Sequence, residues 1–171
     1  MTPTPVEHLG EIQPTALAAN TRLIGEYEHP TFTGDMIRFF IVDQSLLVVQ
    51  GETVFDDGRI WRNQLELPLA AASWIVDSIH NRFWRKPSEG GLPKNTLHDR
   101  TEIDGESIKI NRGVSIGGEG IGGFSIANLS RLDYSRFSQK QSLGFTDYEL
   151  KDMGLLDFLA DLERKVQAGQ I

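Results

Sequence analysis

No cysteine occurs in the 171 residues, which removes disulfide scaffolds, thiol nucleophiles and thiolate metal sites from consideration. There is no run of about 18 apolar residues, the length at which a spanning helix would be suspected. The opening decapeptide MTPTPVEHLG lacks the basic start and apolar centre of a secretory signal. Together these absences predict a soluble, cytoplasmic protein with no membrane partner. Histidine is scarce as well: the four residues His8, His29, His80 and His98 all precede residue 100.

What is present suits a globular domain. The 39% hydrophobic content, with 17 glycines added, matches ordinary folded proteins. A chain of this length buries roughly 70% of its unfolded surface, enough for one self-sufficient core. The net charge of -7 is unevenly spread. Residues 58–100 form the only basic third, at +3, through Arg59, Arg62, Arg82, Arg85, Lys86, Lys94 and Arg100.

Residues 1–20 contain three prolines and no apolar period, so they read as a flexible or loosely docked arm preceding a single domain over 21–171. From Met36, the runs MIRFFIV, SLLVVQGETVF and RIWRNQLEL are rich in β-branched and aromatic residues. Asp56-Asp57-Gly58 separates the last two, and these residue types tolerate the positive φ of a tight hairpin. Trp61, Asn63, Leu65 and Leu67 share one face of the third strand, opposite Arg62, Gln64 and Glu66, which predicts a half-buried strand.

Pro68 then ends the strand and suits a first helical turn. Leu69, Ala72, Ile75, Val76, Ile79 and Phe83 follow at helical spacing. Pro87, Gly90, Gly91 and Pro93 mark a loop, after which ESIKI and GGFSIANL alternate like strands. Thr146 and Glu149 have capping-box spacing, predicting a helix from Asp147. Gly154 interrupts it before an amphipathic stripe of Leu155, Phe158, Leu159, Leu162 and Val166. The expected fold class is α+β: a mainly antiparallel sheet covered by two amphipathic helices, near 68–84 and 147–167. Each half runs from strands to helix, although the halves share little residue identity.

Two catalytic spellings overlap in INRGVSIGGEGIGGFSIANLS. Gly118-x-Gly120-x-x-Gly123 spells a dinucleotide fingerprint, which requires a following helix and an acid about 20 residues on. Here a strand-like stretch follows, and no acid lies between Asp133 and Asp147. A hairpin or loop over 113–123 explains the same glycines with fewer assumptions, and no cofactor is expected. Gly113-x-Ser115-x-Gly117 spells a nucleophile elbow, but that motif needs a histidine after the serine, and none follows. Asp77 and His80, three apart on the helix, lack a third ligand and read as its solvated edge, so no metal is expected. His98-Asp99 reads as loop, and no catalytic residue is assigned.

The grouping with positive content is basic and aromatic. Arg38, Arg59, Trp61 and Arg62 lie in the meander with Phe39 and Phe40, and such mixtures bind single-stranded nucleic acid through phosphate contact and base stacking. The strand order, the strand end LEL, the proline and the amphipathic helix across residues 36–84 resemble the β-meander-plus-helix binders of single-stranded DNA, namely the transcriptional coactivator, Pur-alpha and Whirly groups. That resemblance implies a curved sheet, a homodimer or internal pseudo-dimer, and nucleic-acid contact along a sheet face. A non-enzymatic binding module is therefore the expectation. The alternatives are a structural or interaction protein acting through an oligomer, and an enzyme of unrecognised class.

Overall fold

The computed structural model describes residues 8–29, 34–133 and 139–171. The first seven residues of the expected arm fall outside that range. The chain forms two four-stranded antiparallel sheets, each a simple meander followed by helix. The first contains β1 (Thr21–Glu28), β2 (Met36–Val42), β3 (Leu46–Val54) and β4 (Ile60–Pro68), and leads into α1 (Ala71–Asp77). The second contains β5 (His98–Ile103), β6 (Glu106–Gly113), β7 (Gly123–Leu132) and β8 (Lys140–Thr146), followed by α2 (Asp147–Lys151), α3 (Leu155–Ala160) and α4 (Leu162–Gln167). The α+β class with antiparallel pairing matches the alternation read from the sequence, with two sheets in place of one.

Turn chemistry sets the registers. Gly58 has φ +86° in the β3–β4 turn, as the Asp-Asp-Gly signal required. Asp104 and Gly105 both adopt positive φ between β5 and β6, the backbone that suits a two-residue hairpin, and Asp43 and Gln44 do so in the three-residue connection between β2 and β3. The glycine-rich segment is the loop between β6 and β7, closed by Gly113 opposite Gly123. No helix starts at Gly120. His98-Asp99, expected in a loop, instead opens β5, because the alternation of HDRTEI outweighs its polarity.

After α1 the helix widens into a π-helical stretch, Ser78–Phe83, in which Trp84 N donates to Ile79 O at 2.9 Å. This brings Phe83 and Trp84 against Phe124 on the second sheet, with ring centroids 5.1 and 6.1 Å apart. Ser78 and Arg82 both hydrogen-bond Asp99 on β5. The reciprocal contact comes from α3, where Phe158 packs against Phe39 and Tyr27 on the first sheet at 5.0 and 6.2 Å. Ring contacts thus cross between the halves in both directions, while α1 also lies against β4 and α2 against β7 and β8. One apolar core joins them, drawing on Phe39, Leu47, Leu65, Ile79, Ile110, Phe124, Leu155 and Leu162.

The capping box at α2 is formed in both directions, with Thr146 Oγ1 accepting from Glu149 N and Glu149 Oε1 accepting from Thr146 N. Gly154, at φ +80°, ends the turn before α3, as its position predicted.

The edge of β4 meets the second sheet through side-chain amides. Gln141 Oε1 accepts from Glu66 N, and Asn128 Nδ2 donates to Glu66 O, both at 2.8 Å. Backbone groups that an edge strand leaves unpaired are satisfied in this way. Beneath them Arg131 reaches Glu66 and Glu106, all three buried. Burial lowers the Arg131 pKa, but hydrogen bonds and charge from Glu106 and then Glu66 outweigh it, and the net shift is upward.

The outer face of the first sheet is also covered. Residues 9–12 run across it, with Leu9 N donating to Glu66 Oε1 and Ile12 N to Gln64 Oε1. Gln50 Nε2 and Gln64 Nε2 donate back to Ile12 O and Gly10 O. Leu9 and Ile12 also pack on Phe40, Val42 and Val48. β4 is consequently buried on both faces along its second half, including Gln64 and Glu66. The half-buried expectation for this strand is corrected: the arm supplies the missing cover.

Candidate nucleic-acid interface

The four residues singled out from the sequence occupy three different places. Arg38 and Arg62 lie on the outer face of the first sheet and share one carboxylate, with Arg38 Nη1 and Arg62 Nε at 2.7 and 2.8 Å from Glu52 Oε2. Arg38 also pairs with Glu26, and Arg62 with Glu11. Three carboxylates thus surround two guanidinium groups. Burial raises the Glu52 pKa, but hydrogen bonds and charge from Arg62 and Arg38 dominate, and its carboxyl is held below the usual range. The same contacts overcome burial at Arg38 and hold its pKa above the ordinary arginine value.

Arg59 stands apart at the hairpin tip, 74% exposed, bonded to Asp57 at 2.6 Å and 5.0 Å above the Phe55 ring. Trp61 belongs to the opposite face of β4 from Arg62, as strand alternation requires. The structure therefore joins Arg38 with Arg62 through Glu52 and leaves Arg59 and Trp61 elsewhere.

A different sheet face carries cationic side chains without acidic partners. On the outer side of the second sheet, strand register lines up Arg100, Lys109, Ala127 and Ser142 in one row, and His98, Asn111, Ser125 and Gly144 in the next. Arg100 Nε donates to Ser107 Oγ at 2.8 Å. Neither Arg100 nor Lys109 has a carboxylate within salt-bridge distance among the described residues. Like charges directly opposite one another on paired strands are destabilising, and an anion placed between them relieves that repulsion. The loop bearing Arg85, Lys86 and Lys94 runs directly into β5. Arg85 and Lys94 of that loop border Phe83, Trp84 and Arg112, on the opposite side of β6 from Lys109.

Sequence reasoning missed Lys109 and left Arg100 unassigned. The available signal was the alternation of His98, Arg100 and Glu102 on one strand and of Ser107, Lys109 and Asn111 between Ile108 and Ile110 on the next.

The catalytic spellings acquire no supporting geometry. Ser115 sits exposed in the β6–β7 loop, not on a strand-to-helix turn. Asp77 and His80 are both exposed, Asp77 accepting from Asn81 and His80 stacking edge-on against Trp84. No group of three or more potential metal ligands occurs among the described residues. Nor is any described helix long and apolar enough to cross a membrane. No protein-family model matches the chain, and no curated protein matches it.

Proposed function

We propose that this protein is a non-enzymatic binding module that contacts single-stranded nucleic acid along the outer face of its second sheet. The observation carrying this reading is the facing pair Arg100 and Lys109, neither with a carboxylate within salt-bridge distance among the described residues, on a face that also carries Glu102 beside small polar side chains. Support also comes from the two meander-plus-helix halves joined by reciprocal ring contacts, an arrangement consistent with the internal pseudo-dimer implied by the resemblance of residues 36–84. Among the described residues the rows around Arg100 and Lys109 bear no phenyl or indole ring, so contact is electrostatic and indifferent to base. The overall charge of -7 does not preclude this, because screening limits each charge to about 8 Å at physiological salt.

The test is fluorescence anisotropy with a labelled oligodeoxythymidine at low and moderate salt. The Arg100→Ala/Lys109→Ala double variant weakens binding and flattens the salt slope, by about 0.7 log unit per tenfold salt for each phosphate no longer neutralised. An Arg59→Ala/Arg62→Ala variant binds as the parent does. Absence of binding at low salt, or binding unchanged by the first variant, rejects the reading. Weakening in the second variant alone returns the nucleic acid to the first sheet.

A second reading, protein–protein contact through an oligomer, is favoured by one observation. Val54, Phe55, Ile60 and Trp61 are all more than 40% exposed around the β3–β4 turn, and apolar groups clustered in this way mark interaction surfaces. Sedimentation that is independent of concentration, and unchanged by Phe55→Ser, excludes self-association there.

A further inference from the structure

The loop RKPSEGGLPKN, residues 85–95, folds back on the end of the π-helical stretch. Leu92 N donates to Arg82 O at 2.7 Å, and Gly91 N to Lys86 O at 3.0 Å. Gly91 permits this close return, because a Cβ there would overlap the Arg85 carbonyl oxygen. Pro87 and Pro93 fix φ on either side of it. Together with Arg112 of β6, the loop encloses a pocket of about 340 Å³, within the roughly 300–1,000 Å³ typical of small-molecule sites.

The lining holds three cationic side chains, Arg85, Lys94 and Arg112, and no carboxylate. Arg112 is already balanced: both its Nη atoms engage Asp147, and its guanidinium lies 4.8 Å over the Phe124 ring. Arg85 and Lys94 are exposed, and neither has a carboxylate within salt-bridge distance among the described residues. Arg85 Nη2 donates to Asn81 Oδ1, and Asn81 Nδ2 to Asp77 Oδ1, both at 2.7 Å. Asp77 therefore orients Arg85 through a neutral amide, and the guanidinium keeps further N–H donors for a ligand. The other charges nearby do not line the pocket. Lys86 and Glu89 are exposed and opposite in sign, Arg82 is taken by Asp99, and His80 meets Trp84 edge-on.

The remaining walls are apolar, from Phe83, Trp84, Leu92 and the two prolines. Aromatic rings favour offset or edge-to-face packing with a second ring. Two unmatched positive charges beside such a wall select a doubly charged anion on a flat apolar body. A phosphate monoester carries about −1.5 to −2 at neutral pH, and the planar fork of an arginine matches its oxygens. A carboxylate brings half that charge, and an amine is repelled.

We propose that this pocket binds the phosphate monoester of a small aromatic molecule, with Arg85 and Lys94 on the phosphate and Trp84 against the ring. Arg112 and Lys109 are three apart on β6 and so belong to opposite faces. The site therefore stands independently of the nucleic-acid reading.

The test is an NMR titration of the full ¹⁵N-labelled chain, reading the Gly91 and Asn95 amides and the Trp84 indole, which Trp84→Phe identifies. The probes are phenyl phosphate, benzoate, inorganic phosphate and benzyl alcohol. Phenyl phosphate produces saturable shifts at these resonances. The others bind at least tenfold more weakly, lacking respectively the second charge, the ring and any charge. Arg85→Ala/Lys94→Ala weakens phenyl phosphate at least tenfold, whereas Arg100→Ala/Lys109→Ala leaves its affinity unchanged. Should the first variant disturb amides beyond the loop, Arg85→Gln/Lys94→Gln keeps the side chains long and gives the same loss. Phenyl phosphate binding no tighter than benzoate or inorganic phosphate overturns the assignment, as does an unchanged affinity in the folded variant. Equal weakening by the Arg100/Lys109 variant also overturns it, since that reports attraction to any basic surface. So do shifts at these resonances from an oligodeoxythymidine but not from phenyl phosphate.

Discussion

Arg131 on β7 reaches Glu66 on β4, with Nη1 2.8 Å from Oε1, and both side chains are buried where the two sheets meet. Glu66 also accepts from Leu9 N, Gln64 Nε2 and Gln141 Nε2, so one carboxylate links the arm, the first sheet and the second. Removing Arg131 leaves Glu66 and Glu106 as buried like charges. Arg131→Met is expected to lower stability by about 3–5 kcal/mol, measured by urea unfolding at neutral pH. Restoration of most of that stability by adding Glu106→Gln locates the penalty in the uncompensated charge.

The Glu52 site makes stability depend on pH. Its folded pKa lies below the unfolded value of 4.5, so its contribution is fully present above pH 4.5. As pH falls below that value the unfolded chain takes up the proton first, and the contribution is lost by the time pH drops through the folded pKa. Denaturation midpoints measured from pH 6 to pH 3 are expected to fall, and Glu52→Gln is expected to reduce that slope. A slope identical in both proteins excludes this origin.

At Gly123, a Cβ would overlap the Phe145 carbonyl oxygen across the β7–β8 ladder. Gly123→Ala is expected to destabilise by more than about 2 kcal/mol, since the backbone itself has to move. Gly10 has open space around its Cβ position, and Gly10→Ala is expected to change thermal stability by less than about 0.5 kcal/mol. Equal effects of the two substitutions on Tm contradict the strand placement of Gly123.

Ile12 covers the outer face of the first sheet. Ile12→Ala is expected to cost about 1–2 kcal/mol, below the range for a fully buried isoleucine because the site is only partly enclosed. Faster hydrogen exchange at the amides of Leu9 and Ile12, with the α3 amides unaffected, identifies local release of the arm.

The local elements were largely legible in the sequence, and the long-range cover was not. Asp56-Asp57-Gly58, Pro68 and the Thr146–Glu149 box each act through their immediate neighbours, and each marks the boundary it predicted. β1 was missed because TRLIGEYE alternates weakly and its burial depends on Phe158. Gln50, Gln64 and Glu66 look like a solvated strand face, yet they are buried because the arm brings backbone groups to meet them. For the interface, composition pointed to arginines without showing which of them already had acids beside them. Arg38 and Arg62 differ from Arg100 and Lys109 only in their neighbours across the sheet, and strand pairing decides that.

The cover that α3 gives the first sheet governs the order in which the molecule can be completed during synthesis. The first meander leaves the ribosome with α1 against β4 but the apolar face around Phe39 still open. Cover arrives only with Phe158, far downstream. Translation therefore passes through a stage in which half a protein displays a sticky, unsheltered surface, and a stalled or truncated chain remains there. Two such fragments expose the same open sheet face, so premature termination is a direct route to like-with-like association between chains.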